Sequence, residues 1–102
     1  MTDIVGRWVQ KEGQHYAGLW FDFKSDGTFT AEYEAMAIHS SGKYDIEDNQ
    51  ITMQQTEHTF GLVGEFKGLF AIEGDTLSMA LAAGAGQDRP KDLSEARTYQ
   101  RD

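Results

Sequence analysis

Apolar and polar residues alternate over short stretches of this chain, and each stretch is bounded by Gly, Asp, Asn or Ser. A period of two is typical of β-strands with one buried face, and the spacing of amphipathic helices is hard to find. The links at 25–27, 39–41, 48–49 and 74–75 carry turn-forming residues. The pattern therefore predicts strands joined mostly by tight turns, at about 4–11, 18–24, 28–38, 42–47, 50–59, 65–73, 76–82 and 96–101.

Two of the predicted hairpins are near copies of one another. The stretches GKYDIEDNQITM at 42–53 and GLFAIEGDTLSM at 68–79 share glycine, aromatic, isoleucine, glutamate, aliphatic and methionine positions at the same offsets. The aromatic residue and the isoleucine are expected on the inner face of the first strand, and the aliphatic residue and the methionine on that of the second. A looser third copy is present at 18–33. Because a lone hairpin cannot bury its apolar face, the copies are expected to pair side by side.

These elements predict an all-β fold, an eight-stranded antiparallel up-and-down meander that closes into a barrel. Closure removes the exposed edges that an open sheet would leave. The 102 residues, 1–102, have the size of a single domain. The irregular stretch 83–96 contains two glycines and the only proline, Pro90, and is expected to form a long connection to the last strand.

Residues near both ends of the chain resemble the signature of lipocalin or calycin barrels. Gly6 and Trp8 form a G-x-W on the first predicted strand, and Arg97 and Arg101 lie on the last. In that superfamily the indole closes one end of the barrel and an arginine from the last strand lies across it. The resemblance implies that Trp8 is this indole and Arg101 its partner, with Arg97 as second choice. Stacking of guanidinium on indole is favourable in its own right.

A closer resemblance is to small bacterial lipocalin-like domains of unknown function that are abundant in planctomycetes. The residues that carry it are the G-x-W, the strand-turn pair at 68–79, the G-x-x-R-P element at 86–90 and the arginine near the end. The resemblance covers nearly the whole chain. It implies a lipocalin-like fold and says little about function.

The predicted interior is lined mainly by aromatic residues and methionines. A barrel of this size is either filled by its side chains or holds one small ligand, and both alternatives are open. If a ligand binds, the mouth of the barrel is the expected place, with loops 13–17, 39–41 and 60–64 as lids. The expected interior comprises Trp8, Phe21, Phe23, Phe29, Tyr33, Tyr44, Met53, Phe70, Met79 and Tyr99, with Gln10, Gln55 and Glu57. The candidate ligand-binding residues are Tyr33, Tyr44, Gln55, Phe70 and Tyr99.

Charge and composition narrow the classes of partner. The net charge is −8, and the nine Lys and Arg residues form no stripe, so neither nucleic acid nor an anionic membrane surface is an expected partner. The absence of cysteine excludes disulfides, thiolate metal sites and a cysteine nucleophile. No signal-peptide pattern or apolar run of membrane-spanning length is present. A cytoplasmic location is expected, with export after removal of a signal as the alternative.

The sequence offers little catalytic or metal chemistry. His15, His39 and His58 do not have the spacing of a metal site. The segment around Asp26 resembles a calcium loop but has Tyr33 where a bidentate glutamate is required. No G-x-S-x-G is present, and no acidic pair can be assigned to acid–base work. The chain is therefore expected to be non-enzymatic, without metal or cofactor.

Two functions of different classes are consistent with these residues. The first is a module that binds a small apolar or amphipathic ligand at the barrel mouth. The alternative is a protein-interaction module, because the 83–90 loop and the final strand are similar in order to those of staphostatins, lipocalin-like inhibitors of cysteine peptidases. There, Gly86 would let the backbone pass close to a peptidase active site. A homodimer face is also expected from apolar residues predicted to point outward, namely Val5, Val9, Trp20, Met36, Ile38 and Leu69, with Phe60, Leu62 and Val63 in the 59–66 connection.

Overall fold

A computed structural model describes residues 4–14, 16–82 and 84–102. Each strand pairs antiparallel with the next and the last pairs with the first, so the sheet closes into a barrel. The all-β, eight-stranded up-and-down barrel is thus confirmed. None of the described residues belongs to a helix that is long and apolar enough to cross a membrane. The strands are β1 (Gly6–Gln10), β2 (Trp20–Phe23), β3 (Thr28–Tyr33), β4 (Ile38–Glu47), β5 (Gln50–His58), β6 (Gly64–Glu73), β7 (Thr76–Leu81) and β8 (Arg97–Arg101).

One end of the barrel is closed by a tryptophan and an arginine. The Trp8 side chain is fully buried, and its indole N–H donates a hydrogen bond to the Ile4 carbonyl over 2.8 Å. The Arg101 guanidinium lies 4.1 Å from the centre of the Trp8 ring and donates to the Val5 carbonyl. Gly6 has a φ of +129°, and a Cβ there would lie only 2.8 Å from Arg101 Nη1. The G-x-W glycine therefore makes room for the arginine that covers the indole.

The repeated stretches are equivalent hairpins in the structure. In the β4–β5 hairpin Tyr44 pairs with Met53, and in the β6–β7 hairpin Phe70 pairs with Met79. An ideal Cβ on Gly68 would lie 2.6 Å from the Ala80 carbonyl oxygen, and one on Gly42 would overlap the equivalent oxygen of Gln54. Both copies begin with glycine because the partner strand passes too close for any side chain.

Alanine at either glycine is expected to destabilise the barrel. Gly42→Ala and Gly68→Ala should each lower the free energy of unfolding by about 1–3 kcal/mol, because the methyl group meets backbone atoms that cannot rotate away. Gly84→Ala is the control, since a Cβ there would meet only the flexible end of the Gln87 side chain, 3.3 Å away. Urea unfolding followed by far-UV circular dichroism measures all three. Similar losses in all three variants would contradict the close-approach explanation.

The turn between β3 and β4 is not where the sequence pattern placed it. The strand predicted over 28–38 ends at Tyr33, and a 3₁₀ turn over Glu34–Met36 follows. Ala37 adopts a left-handed conformation, with φ of 53°, and its N–H closes the turn on the Glu34 carbonyl. The prediction of a turn at 39–41 was therefore wrong, because these residues already belong to β4. The turns predicted at 25–27, 48–49 and 74–75 are present.

Two of the apolar residues predicted to point out of the barrel differ in outcome. Ile38 is not the end of β3 but the first residue of β4. It pairs there with Tyr33, so its side chain shares the inner face with Tyr33. Leu69 points out of the barrel with its partner Ala80, yet it is only 8% exposed. The outward prediction was therefore wrong for Ile38 and is confirmed for Leu69, whose side chain is nonetheless buried. The connection after β7 lies against this outer face, where Arg89 bonds the outward-facing Thr52 hydroxyl on neighbouring β5.

One residue of the repeat lies on its predicted face but is poorly covered. Ile46 pairs with the fully buried Ile51, as the inner-face prediction requires, but it is 36% exposed. The pairing between β3 and β4 ends at Thr28 and Lys43, so no strand flanks Ile46 on that side. The β4–β5 hairpin therefore projects beyond the end of the barrel.

Candidate ligand-binding site at the open mouth

The end of the barrel opposite Trp8 contains a cavity of about 330 Å³ that opens to solvent. The last residues of β3, β5 and β7 and the first residues of β4 and β6 surround it. No tryptophan fills the interior at these strand ends as Trp8 does at the other end, so part of the inner face is open to solvent. The apolar wall includes Leu19, Phe21, Ala31, Ile38, Met53 and Phe66, and the polar side chains are Tyr16, Tyr33, Ser40, Gln55 and His58.

The candidate ligand-binding residues are divided between four places. Tyr33 and Gln55 line this mouth cavity, and Tyr99 lines a second cavity beside it. Tyr44 lies toward the closed end, where its ring packs on Phe23 and its hydroxyl donates to the Lys24 carbonyl over 2.6 Å. Phe70 is buried in the core and lines neither cavity. The aromatic set is thus not gathered around one void.

A β-bulge decides which side chains of β5 reach the mouth cavity. Ser41 pairs with Glu57 and Gly42 with Gln55, so one extra residue, Thr56, is inserted in β5. The alternation of faces shifts there, and both Gln55 and His58 line the cavity. Glu57 is exposed, so its prediction as an interior residue was wrong. His58 was not among the predicted site residues, because no local pattern indicates the bulge.

The polar groups of β5 hold the loop that follows it. The Gln55 amide donates to the Leu62 carbonyl. His58 Nδ1 accepts a hydrogen bond from the Phe60 N–H over 3.0 Å, which leaves Nε2 to carry the proton of the neutral ring. Phe60, Leu62 and Val63 remain largely exposed, with Phe60 at 64%. This β5–β6 loop, residues 59–63, forms an apolar lip over the cavity, and it corresponds to one of the predicted lids.

The second cavity, of about 600 Å³, lies beside the first and shares part of its wall. Its own lining adds Gln10 and Tyr99 from the barrel interior and Asp88, Pro90, Glu95 and Arg97 from the last connection and β8. Tyr16 belongs to both cavities. Its ring lies edge-on to Tyr33, with centroids 5.7 Å apart, and the Arg97 guanidinium lies 5.3 Å from its centre. Tyr16 therefore separates the two cavities.

The loop that carries Tyr16 is tied to the barrel by Gln14. The Gln14 amide donates to the Thr98 carbonyl over 2.8 Å and accepts from the Thr98 N–H over 2.9 Å. It also donates to the Lys11 carbonyl. Of the predicted lid 13–17, His15 lies outside the described residues. The predicted lid 39–41 is part of β4 instead, although Ser40 does line the cavity.

The electrostatics of the mouth favour neutral polar contacts. Burial raises the pKa of the Tyr99 hydroxyl to about 12, so it remains a neutral hydrogen-bond donor at physiological pH. Within the described ranges, no group of three or more His, Cys, Asp or Glu side chains could hold a metal ion. The wall of the cavity of about 330 Å³ is mainly apolar, with a few polar side chains among it.

Comparisons with protein-family models, with curated proteins and with solved structures find no match for this chain. Relatives therefore supply no assignment of the cavity residues. The described strands themselves show a closed, eight-stranded antiparallel barrel, which is consistent with a lipocalin-like fold.

Proposed function

We propose that this protein is a non-enzymatic binding module that takes up one small apolar or amphipathic molecule at the mouth of its barrel. The observation that carries the proposal is the cavity of about 330 Å³ at the open end, adjoined by one of about 600 Å³. Ligand pockets in proteins have volumes of about 300–1,000 Å³ and apolar walls with a few polar groups. The mouth has this composition.

Binding is favoured over catalysis by the use that the site makes of its polar groups. His58 and Gln55 are both engaged with the loop at 59–63. Tyr16 is held between Arg97 and Tyr33. These side chains shape the opening and its lip. A general acid or base would instead need to be aimed at the bound molecule.

A dye that reports apolar surroundings tests the proposal. N-phenyl-1-naphthylamine is neutral and its emission rises in an apolar pocket, so titration should show saturable binding of one dye per chain. Ala31 is buried on the inner face of β3 and lines the cavity. Ala31→Leu should weaken dye binding by about tenfold or more, because the added methyl groups occupy the space that the dye needs.

The matched control is Ala71→Leu, the same change at an exposed residue of β6 that lines neither mouth cavity. It should leave the dye affinity unchanged. Ser40→Leu provides a second cavity-filling variant, because Ser40 is buried opposite Ala31 on β4. Far-UV circular dichroism verifies that each variant is folded. The proposal would be overturned if the wild-type protein showed no saturable binding. It would also be overturned if Ala31→Leu and Ser40→Leu both bound the dye with the wild-type affinity.

The family and cellular setting are proposed on narrower grounds. The contact between Trp8 and Arg101 supports membership of the lipocalin or calycin superfamily. That the chain belongs with the small bacterial members stays a prediction from the short sequence motifs. A cytoplasmic location, a homodimer and the absence of nucleic-acid or membrane partners stay predictions from the sequence. The exposed apolar lip, Phe60, Leu62 and Val63, supports a homodimer face better than Trp20, which is stacked on Arg7 at 4.2 Å.

The alternative function is peptidase inhibition through the 83–90 loop. Gly86 supports it, since this exposed glycine has a φ of +77° and a Cβ there would meet no atom within 4 Å. The Gly86 N–H is bonded to the Glu65 carbonyl, however, which holds the loop against the barrel. Ligand binding is therefore the better supported function. Inhibition of a papain-like peptidase that is lost in Gly86→Arg, together with no dye uptake, would favour the alternative.

A further inference from the structure

Gln10 is an exception to the usual satisfaction of buried polar groups. Its side chain is only 2% exposed. Of the buried side-chain nitrogen and oxygen atoms in the described part of the chain, only Gln10 Nε2 and Oε1 lack a hydrogen-bond partner. Leaving both ends of an amide unpaired is costly, and such groups in folded proteins call for an explanation. An apolar side chain at this position would leave no buried polar atom without a hydrogen bond.

The position of Gln10 in the barrel supplies that explanation. Gln10 lies at the mouth end of β1 and lines the cavity of about 600 Å³. It is the register partner of Tyr99 on β8, so the amide and the phenol are neighbours on the inner face. Phe21 and Leu19 line this cavity and also the adjoining cavity of about 330 Å³. A molecule in the mouth thus has an apolar wall on one side and Gln10 on the other.

The charges around this cavity disfavour an anionic ligand. The ionisable side chains that line it are Asp88, Glu95, Arg97, Tyr16 and Tyr99. The two carboxylates outnumber the single guanidinium, and that guanidinium is stacked over Tyr16. The chain as a whole carries a net charge of −8. A carboxylate head would therefore be repelled, and it has no donor to offer the Gln10 oxygen.

We propose that Gln10 binds the polar head of an amphipathic ligand and that this head is a neutral carboxamide or lactam. The inference rests on the proposed ligand-binding function and narrows its ligand class. An amide presents an N–H and a carbonyl side by side, so it exchanges two hydrogen bonds with the Gln10 amide. An alcohol has one oxygen for both partners. The apolar body of the ligand then lies along Phe21 and Leu19.

Displacement of N-phenyl-1-naphthylamine by three ten-carbon compounds tests the head group. Decanamide, 1-decanol and decanoate share one tail length and differ in the head. For the wild-type protein decanamide should displace the dye at about tenfold lower concentration than either of the others, as expected for one additional buried hydrogen bond. In Gln10→Leu the amide and the alcohol should become equivalent. Gln100→Leu, at an exposed residue beside Tyr99, should retain the preference.

A second measurement is independent of the dye. The side-chain NH₂ signals of Gln10 in a ¹⁵N spectrum, identified by their absence from Gln10→Leu, should shift on addition of decanamide and not of decanoate. Without ligand, Gln10→Leu should melt at the same temperature as the wild-type protein or higher, because an unpaired buried amide has been removed.

The possible failures can be distinguished. Dye uptake by the wild-type protein without an amide preference, or a preference that persists in Gln10→Leu, would overturn the head-group inference. Either result would leave the proposed ligand-binding function intact. Absence of dye uptake by the wild-type protein would overturn the proposed function together with the head-group assignment. Unshifted Gln10 NH₂ signals in the presence of bound decanamide would show that the amide binds elsewhere.

Discussion

Replacing Trp8 with alanine is expected to lower the free energy of unfolding by about 3–5 kcal/mol. The change removes the largest fully buried side chain, its hydrogen bond to the Ile4 carbonyl and the ring beneath Arg101. Small domains have unfolding free energies of about 5–15 kcal/mol, so this loss would leave the chain marginal. Urea unfolding followed by far-UV circular dichroism measures it. Trp8→Phe, which keeps a ring, should give an intermediate loss and a clear transition.

The chain contains its own matched control, because it has two tryptophans. Trp20 is partly exposed on the outer face, where its ring is stacked with the Arg7 guanidinium at 4.2 Å. Trp20→Ala should cost about 1 kcal/mol or less, the usual contribution of an exposed cation–π pair. Equal losses at the two positions would contradict the assignment of Trp8 as the plug of the closed end.

Arg89→Ala is expected to lower the free energy of unfolding by about 2–3 kcal/mol. The Arg89 guanidinium donates to the carbonyls of Ile51 and Gly68, over 2.9 and 2.6 Å, and to the Thr52 hydroxyl over 3.1 Å. It thereby pins the connection after β7 to β5 and β6. Without it, both carbonyls and the Thr52 hydroxyl lose a partner.

Two further variants separate the shape of Arg89 from its charge. Arg89→Lys keeps the charge but not the planar guanidinium that bonds several groups at once. It should therefore still lower the free energy of unfolding by about 1–2 kcal/mol. Lys91→Ala removes an exposed charge from the same connection and should change stability by about 0.5 kcal/mol at most. Faster amide hydrogen exchange at 84–96 in Arg89→Ala alone would locate the effect. A lysine variant as stable as the wild-type protein would contradict the hydrogen-bond explanation.

The barrel could be predicted because its determinants are local. Alternating residues define each inner face, and the duplicated hairpins repeat the same inner pairs, Tyr44 with Met53 and Phe70 with Met79. The part played by Arg101 could be inferred from the G-x-W resemblance. The role of Arg89 in the G-x-x-R-P element could not, since it depends on carbonyls that only the folded sheet brings together.

The candidate site was predicted less well, for reasons that also depend on the folded sheet. No local sequence pattern marks the bulge at Thr56. The bulge places His58, and not Glu57, in the wall of the mouth cavity. The β3–β4 turn uses Ala37 at positive φ, in a stretch without Gly, Pro, Asn or Asp to mark it. Gln10 was expected inside, but its lack of partners depends on what every neighbouring strand presents.

The pairing of β1 with β8 has a practical consequence. Asp102 is bonded through its N–H to the Arg7 carbonyl, so the last residue of the chain lies beside the first strand, at the plugged pole of the molecule. A tag fused after Asp102 would emerge from that pole. When such a fusion is anchored on a sensor chip, the opposite pole faces the flowing solution, and the entrance stays accessible to whatever analyte is passed over it.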